Sequence, residues 1–227
     1  MMLNLPKTIT IDGPVAAGKT TVGKEIAKKL NYLMVDTGFF YRTVTHLALK
    51  NKIDVKDDSK TGKIAETVKI ELTSENHETV IIADGENITR FLRTPKVDNN
   101  VQYVAANPKV RRALTPQMRK VAEKNNVVMV GRDIGTVVLP KADLKLWLDA
   151  NTYERAKRRA KELKERGINI SFQEVLKEME LRDKTDRERK TDPMKVPKDA
   201  IIINSNNLTI PQTIEKTYSI IKNWSNK

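Results

Sequence analysis

The sequence predicts an α/β fold, in which a parallel five-stranded sheet is flanked by helices and carries an antiparallel insert and a helical lid. Three observations support this. Short apolar runs alternate with helical stretches, which is typical of parallel strands joined by crossover helices. A glycine-rich turn connects the first apolar run to the first helix. The middle of the chain has two β-rich runs around turn-forming residues, which indicates an antiparallel ribbon.

The strands of the sheet are predicted at five apolar runs, residues 8–11, 32–35, 127–130, 144–148 and 200–203. Helices are predicted over residues 21–30, 39–50 and 107–124, with a polar connection at 51–60. The last helix begins near Pro211, and its spacing predicts a buried side formed by Ile210, Ile214, Tyr218, Ile221 and Trp224.

The chain divides into three predicted parts. A core takes residues 1–63, 126–150 and 199–227. Residues 64–125 form an insert, whose strands at 68–72 and 79–83 flank the turn-forming residues 74–77. Residues 151–198 form a lid of two helices, because Asn151 with Glu154 and Ser171 with Glu174 resemble capping boxes and Gly167 lies at a helix stop. The lid is densely charged, which favours either a solvated hairpin or a mobile cover whose arginines close over phosphates.

Composition narrows the class of protein. The net charge is +13, which suits either nucleic-acid binding or a pocket for several phosphates. Aromatic content is only 5%, which weakens the case for a single-strand binder. The absence of cysteine excludes disulfides and thiol catalysis. We expect a cytoplasmic protein without a membrane span, because no apolar run is long enough and the N-terminus has no signal-peptide core.

The most informative motif is the run from Gly13 to Thr20, which fits the phosphate-loop pattern G-x-x-x-x-G-K-[ST] at every fixed position. A strand, a glycine-rich turn and a helix N-terminus aim backbone N–H groups at one point. We therefore predict a P-loop NTPase-type core that binds ATP. The predicted ATP ligands are Gly13, Pro14, Val15, Ala16, Ala17, Gly18, Lys19, Thr20 and Thr21. Lys19 reaches the β- and γ-phosphates, and the Thr20 hydroxyl is a predicted Mg²⁺ ligand.

Two further motifs follow predicted strands. Asp36-Thr37-Gly38 leads to Arg42 after the second strand, and Gly131-Arg132-Asp133 follows the third. Because ligands bind outside the carboxyl ends of parallel strands, we expect both motifs to flank the phosphate loop. Phosphoryl transfer needs an oriented acceptor and positive charge, but no protein nucleophile.

Other patterns are weaker. The run from Asn51 to Asp54 matches a guanine-reading motif, but it lies close to the loop in sequence and no D-x-x-G accompanies it. The strand end at Asp149 resembles a second nucleotide-binding motif and is better explained as core. His46 and His77 are isolated, and no His/Cys/Asp cluster predicts a zinc site.

Taken together, the sequence resembles the bacterial cytidylate kinases along nearly its whole length. The matching signatures, in order, are residues 11–14, 36–42, 93–94, 104–111, 131–138, 154–159 and 182–189. The resemblance implies phosphorylation of CMP or dCMP by ATP with Mg²⁺, in a monomer built from a core, a CMP-binding insert and a lid.

The resemblance also implies roles for matching residues. Arg42 and Arg132 hold the CMP phosphate, with Asp36 and Thr37 nearby. Those that face the base are Arg111, Asp133 and Arg189, whereas Arg182 and Asp186 hold the ribose. The implied catalytic residues are Lys19, Arg132, Arg182 and Arg189. A carboxylate accepts from N4 of cytosine and a guanidinium donates to N3 or O2, so these residue types suit cytosine.

Two positions depart from the family pattern. Gln102 replaces a small serine that contacts the base, and its amide can serve cytosine or uracil. Thr185 replaces a lid arginine. Two alternatives therefore stay open at the level of sequence: a UMP/CMP kinase or other monophosphate kinase with relaxed base selectivity, and an ATP-dependent nucleic-acid-binding protein.

Overall fold

The larger sheet has five strands in the order β2-β6-β1-β7-β8, as a computed structural model of the chain shows. The structure describes residues 5–75, 78–165 and 167–224. The strands of this sheet are β1 (Thr8–Asp12), β2 (Leu33–Asp36), β6 (Val127–Gly131), β7 (Leu144–Asp149) and β8 (Ile201–Asn204). The predicted parallel α/β sheet is therefore confirmed, with each boundary within one residue of the predicted run.

A second, antiparallel sheet has the order β3-β4-β5. Its strands are β3 (Ile70–Glu75), β4 (Glu78–Ala83) and β5 (Glu86–Asn87). The predicted ribbon is confirmed, although Asn76 and His77 of its first turn lie outside the described residues. The second turn, at Asp84 and Gly85, has positive φ at both positions (50° and 85°), which is the geometry of a tight hairpin.

The helices that follow these strands have the bounds α1 (Lys19–Leu30), α2 (Gly38–Lys50), α3 (Asp58–Thr67), α4 (Pro95–Ala106), α5 (Pro108–Lys124), α6 (Thr152–Glu165), α7 (Phe172–Glu188) and α8 (Ile210–Lys222). A 3-10 turn (Thr89–Phe91) and a π-helical segment (Ile134–Val138) complete the regular structure. Of the described helices, none is both long and apolar enough to cross a membrane.

The chain splits into two compact units, residues 1–32 with 128–227 and residues 33–127. In the first unit β1 pairs with β7 and β7 with β8, both parallel, so that Ile11 lies beside Leu146 and Leu148 beside Ile203. Each of these four side chains is buried, because both faces of a parallel sheet are covered. The division into core, insert and lid stays a prediction.

The second unit contains two helices that the sequence did not reveal. Helix α3 overlaps the end of the predicted polar connection, and α4 lies where no element was assigned. Both have clear N-caps: Asp57 accepts from the Ser59 and Lys60 N–H groups, and Thr94 accepts from the Val97 N–H. Asn107 then caps α5 and donates to the Thr61 hydroxyl at 2.8 Å, which ties α5 to α3.

Helices α6 and α7 begin where their capping signals predict. Asn151 accepts from the Glu154 N–H at 2.8 Å, and Ser171 forms a complete capping box with Glu174. Gly167 ends α6 with φ of 73°. The predicted buried side of α8 is partly wrong, because Ile210 is 56% exposed. Ile221 is buried as predicted, but the other buried residues of the helix are Thr213 and Thr217. Each of these threonine hydroxyls donates to the carbonyl four residues earlier.

Candidate functional site

The phosphate loop lies between β1 and α1, as its motif predicts. Gly13 has φ of 147°, and a Cβ there would lie 2.1 Å from the Leu148 carbonyl oxygen of β7. Gly18 has φ of 97° at the N-cap of α1. Both positions need glycine, the first for close backbone approach and the second for its conformation. The loop therefore directs the N–H groups at the start of α1 toward one point, which is an anion-binding arrangement.

Lys19 is the first residue of α1, and its side chain is buried. Its ammonium group donates to the Pro14 carbonyl oxygen at 2.6 Å, which folds the side chain over the loop. Thr20 and Thr21 are exposed on the first turn of α1. The structure thus brings the predicted ATP-binding residues, 13–21, together around one helix N-terminus. A positive side chain and a helix dipole are combined there, which suits a polyphosphate.

Asp12, the last residue of β1, fixes the segment that follows β6. Its buried carboxylate accepts the N–H groups of Ile134 at 2.8 Å and Gly135 at 2.7 Å. Burial raises the pKa of Asp12 to about 6, although these two hydrogen bonds oppose the rise. Asp133 and Arg132 immediately precede the held segment, so Asp12 anchors both. The sequence showed Asp12 only as part of a signature.

Four predicted substrate residues form a chain of ion pairs in the first unit. Arg132 donates from Nε to Asp186 at 3.1 Å, and Arg189 donates from Nη2 to Asp133 at 3.0 Å. The Nη1 atom of Arg189 lies 3.8 Å from Asp186. Asp133 and Arg132 follow β6, whereas Asp186 and Arg189 come from the end of α7. The structure therefore brings the residues together that the resemblance assigns to phosphate, base and ribose.

Arg182 lies on α7 one turn before Asp186 and is half-buried. Thr185, at the position of the missing arginine, is exposed, and its hydroxyl donates to the Leu181 carbonyl oxygen at 2.9 Å. The Thr185 hydroxyl is therefore hydrogen-bonded to the backbone of its own helix.

The second unit holds Arg42 in a defined orientation. Its Nη1 atom donates to the Leu92 carbonyl oxygen at 2.9 Å and also to the Asp98 carboxylate. Burial lowers the pKa of the Arg42 guanidinium, and the Asp98 charge opposes that effect. The contact with Asp98 was not visible in the sequence, since the two residues are 56 positions apart.

The neighbouring predicted residues Asp36 and Thr37 start α2. Asp36 accepts from the Gly38 N–H at 2.9 Å and pairs with Arg93 at 3.1 Å. Thr37 is buried at the helix N-cap. Both residues thus belong to the local structure that places Arg42 one turn into α2.

Arg111 and Gln102 contrast sharply. Arg111 is fully buried in α5, donates to the Ala105 carbonyl oxygen at 3.0 Å and lies over the Tyr41 ring at 5.3 Å. Gln102 is exposed on α4. Arg111 therefore has a defined orientation, whereas Gln102 lies at the surface.

Two arginines of α6 contact the phosphate loop, and sequence reasoning gave neither a role. Arg155 donates from Nη1 to the Val15 carbonyl oxygen at 3.1 Å. Arg158 donates to the Ser205 carbonyl oxygen at 2.6 Å and lies 3.5 Å from the Ala17 carbonyl oxygen. The only signal in the sequence was the signature that contains both, because their partners are distant in the chain.

The described side chains offer few candidate ligands for a metal ion. In the part of the chain that the structure describes, no group of three or more His, Cys, Asp or Glu side chains could hold a metal ion. Asp149 accepts from the adjacent Ala150 N–H at 2.9 Å, which supports its interpretation as a strand end. The Thr20 hydroxyl beside an anion-binding loop suits a Mg²⁺ ion held mostly by phosphate oxygens and water.

A parallel sheet with a phosphate loop after its first strand is the architecture of P-loop nucleotide-binding proteins, a class that includes phosphotransferases. Residues 9–223 match the sequence profile of the family described as cytidylate kinase. The chain belongs to the cytidylate kinase family.

Individual relatives agree with this membership. The chain is 46% identical over 215 residues to a cytidylate kinase of Limosilactobacillus reuteri strain DSM 20016, a match that covers 94% of each chain. It is also 46% identical over 221 residues to a cytidylate kinase of Clostridium botulinum strain Loch Maree, covering 97% of this chain and 99% of the relative. A solved structure of an uncharacterized protein from Eubacterium ventriosum ATCC 27560 shares the fold, with a TM-score of 0.51, 13% identity and coverage of 95% and 98%.

Proposed function

We propose that this enzyme transfers the γ-phosphoryl group of ATP in one direct, in-line step to the phosphate of CMP or dCMP, with Mg²⁺ on the triphosphate. As a cytidylate kinase, the chain phosphorylates CMP with ATP. The observation that carries the proposal is a complete phosphate loop within a chain that matches cytidylate kinases along nearly its whole length. The dCMP reaction, the in-line path and the residue roles rest on the contacts above and on the resemblance.

The direct step needs charge and orientation rather than a covalent intermediate. Lys19 and the N–H groups at the start of α1 would hold the ATP phosphates. We assign Arg42 and Arg132 to the CMP phosphate and Arg182 to the transferring group. Arg42 and Arg132 are each oriented by a carboxylate, Asp98 and Asp186 respectively, which supports a positioned rather than a solvated guanidinium.

Base recognition is assigned to the Asp133–Arg189 pair, with Arg111. A carboxylate paired with a guanidinium remains an acceptor, which suits the N4 amino group of cytosine. Uracil presents an oxygen there, and an unpaired buried polar group costs about 1–3 kcal/mol. We therefore expect at least ~10-fold preference for CMP over UMP. Asp186, with Arg182, is assigned to the ribose.

Mg²⁺ would be held by the Thr20 hydroxyl together with phosphate oxygens and water. When bound, the ion neutralises charge on the β- and γ-phosphates. The protein residues contribute the remaining positive charge and the orientation of both nucleotides.

The test is ADP production from ATP and Mg²⁺ with CMP, dCMP, UMP, AMP or no acceptor. We expect high turnover with CMP and dCMP, weak turnover with UMP, and almost none without acceptor. Equal turnover with UMP would be consistent with a kinase but would refute the assignment of base recognition to Asp133 and Arg189. ADP production that does not depend on the acceptor would refute the kinase activity. ADP production stimulated by RNA or DNA would favour an ATP-dependent nucleic-acid-binding protein.

We further propose that the enzyme acts in the cytoplasm as a monomer, as the family resemblance implies. Light scattering should then give a mass near 25.8 kDa. A mass of twice that value at micromolar concentration would refute the monomer.

A further inference from the structure

We propose that the buried ion pair between Arg155 and Asp183, here called the α6–α7 brace, positions helix α7 relative to the phosphate loop and couples ATP binding to CMP binding. The inference rests on the proposed function in one respect, namely that residues of α7 contact CMP. The brace itself lies within the first unit and involves neither nucleotide directly.

One guanidinium group connects four parts of the first unit. Arg155 is 1% exposed. Its Nε atom donates to the Ala150 carbonyl oxygen at 2.8 Å, at the end of β7. The Nη1 atom donates to Val15 in the phosphate loop, and Nη2 donates to the Thr152 hydroxyl at 2.9 Å and to the Asp183 carboxylate at 2.6 Å. The planar guanidinium group of Arg155 is therefore hydrogen-bonded to both α7 and the phosphate loop, and it fixes the two relative to each other.

Apolar packing reinforces this connection. The inner side of the α6–α7 hairpin is a cluster of buried residues, Ala156, Leu163, Val175 and Met179. Val15 and Ala16 of the phosphate loop pack against that cluster. The loop thus contacts the hairpin through both a charged and an apolar surface, so that a shift of either one disturbs the other.

Helix α7 carries the proposed substrate ligands close to the brace. Arg182 directly precedes Asp183, Asp186 lies three residues later, and Arg189 is the C-cap of the same helix. Asp186 and Arg189 in turn pair with Arg132 and Asp133. A small rotation of α7 about Asp183 would therefore displace several groups that hold CMP.

The pair is poorly explained as a device for stability. A buried ion pair loses hydration on both sides, and apolar residues of similar size often serve stability equally well. Oδ1 of Asp183 is buried without a hydrogen-bond partner, which adds to that cost. The planar guanidinium group of Arg155 donates to a loop carbonyl oxygen and to a carboxylate of α7. These directional hydrogen bonds fix the position of α7 relative to the loop.

The consequence is positive coupling between the two nucleotides. A nucleotide that orders the phosphate loop also fixes the Val15 carbonyl oxygen, and the brace transmits this order to α7. By reciprocity, CMP held by α7 tightens the loop around ATP. The coupling appears as a lower Kd for CMP when a non-hydrolysable ATP analogue is bound.

The experiment measures this ratio of CMP Kd values, without and with the analogue, in the wild type and in Arg155→Lys and Asp183→Ala. We expect coupling of at least ~5-fold in the wild type, reduced to within ~2-fold of unity in both variants. kcat should fall about 10-fold in Arg155→Lys, while the Kd for the analogue alone changes less. Arg159→Lys is the matched control, because Arg159 lies on the same helix and pairs with half-exposed Glu162 at 2.7 Å. Its ratio should equal that of the wild type.

A further variant separates positioning from folding. Arg155→Met with Asp183→Leu removes both charges at similar volume, so it should fold while losing the coupling. If this double variant or either single variant keeps the wild-type ratio, the proposal is wrong. A wild type that binds the two nucleotides independently, yet phosphorylates CMP, would overturn the brace alone. A wild type that fails to phosphorylate CMP would overturn the proposed function instead.

Discussion

Arg189 donates to the Asp133 carboxylate at 3.0 Å, and the two side chains are only 8% and 6% exposed. The arginine comes from the end of α7 and the aspartate follows β6, so the pair joins α7 to the segment after β6 within the first unit. A charge pair this well shielded has lost hydration on both sides, so that removing one member leaves the other buried with less compensation.

The first prediction concerns this pair. Asp133→Ala should lower kcat/KM for CMP by about 100-fold or more, because it removes an acceptor for N4 and the carboxylate that accepts from Arg189 Nη2. ATP analogue affinity, measured by calorimetry, should change by less than about 3-fold, because the phosphate loop is untouched. Arg189→Ala should behave similarly. Equal losses for both nucleotides would show that the pair supports the fold and not base reading.

A second prediction concerns the orientation of Arg42. Arg42→Lys should raise KM for CMP about 10-fold or more, because an ammonium group cannot replace the planar fork. Asp98→Asn should raise it less, since the amide oxygen still accepts from Arg42. Steady-state kinetics with varied CMP measures both effects. Arg90→Lys is the control, because Arg90 is exposed and lies over the Phe91 ring. A larger effect from Arg90→Lys than from Arg42→Lys would contradict the assignment.

A third prediction follows from the raised pKa of Asp12, about 6 against an ordinary 3.8. The folded state binds this proton more tightly than the unfolded state, so its contribution to stability is complete below pH 3.8 and is lost as pH rises through 6. Between pH 4 and 7 the wild type should lose on the order of 3 kcal/mol relative to Asp12→Asn, which does not titrate.

Urea unfolding of both proteins at several pH values measures that difference. Conditions where both unfold reversibly are needed, and the quantity compared is the change in the free-energy difference with pH. A difference that stays constant from pH 4 to 7 would mean that Asp12 ionises with its ordinary pKa.

A fourth prediction tests the close approach at Gly13. Gly13→Ala places a Cβ 2.1 Å from the Leu148 carbonyl oxygen and forces an unfavourable φ. Overpacking and backbone strain together should cost about 3 kcal/mol or more in the free energy of unfolding. The control is Gly85→Ala, which also has positive φ but meets no atom within 4 Å and should cost only about 1–2 kcal/mol. Thermal and urea unfolding compare the two, and equal costs would contradict the contact with Leu148.

The elements that were predictable share a local cause. Each sheet strand is an apolar run, and α7 begins at Ser171 because a capping box is a contact between residues three positions apart. Helix α4 was missed even though Thr94 and Pro95 form an N-cap signal. Its buried valines, Val97, Val101 and Val104, follow helical spacing, but the neighbouring ribbon suggested irregular structure. The buried face of α8 was also misjudged, since threonines that bond their own helix can replace isoleucine inside.

The sequence by itself determined the α/β fold, the phosphate loop and the family, because these depend on short-range periodicity, on glycine geometry and on motifs in a fixed order. Tertiary structure alone decided which partners orient the charged groups. Asp12 holds the N–H of Ile134, 122 positions away, and Arg155 reaches Val15, 140 positions away. No local pattern encodes such pairs, since a hydrogen bond depends on distance in space and the sheet brings distant strand ends together. The pKa of Asp12 likewise follows from burial, which only the folded chain creates.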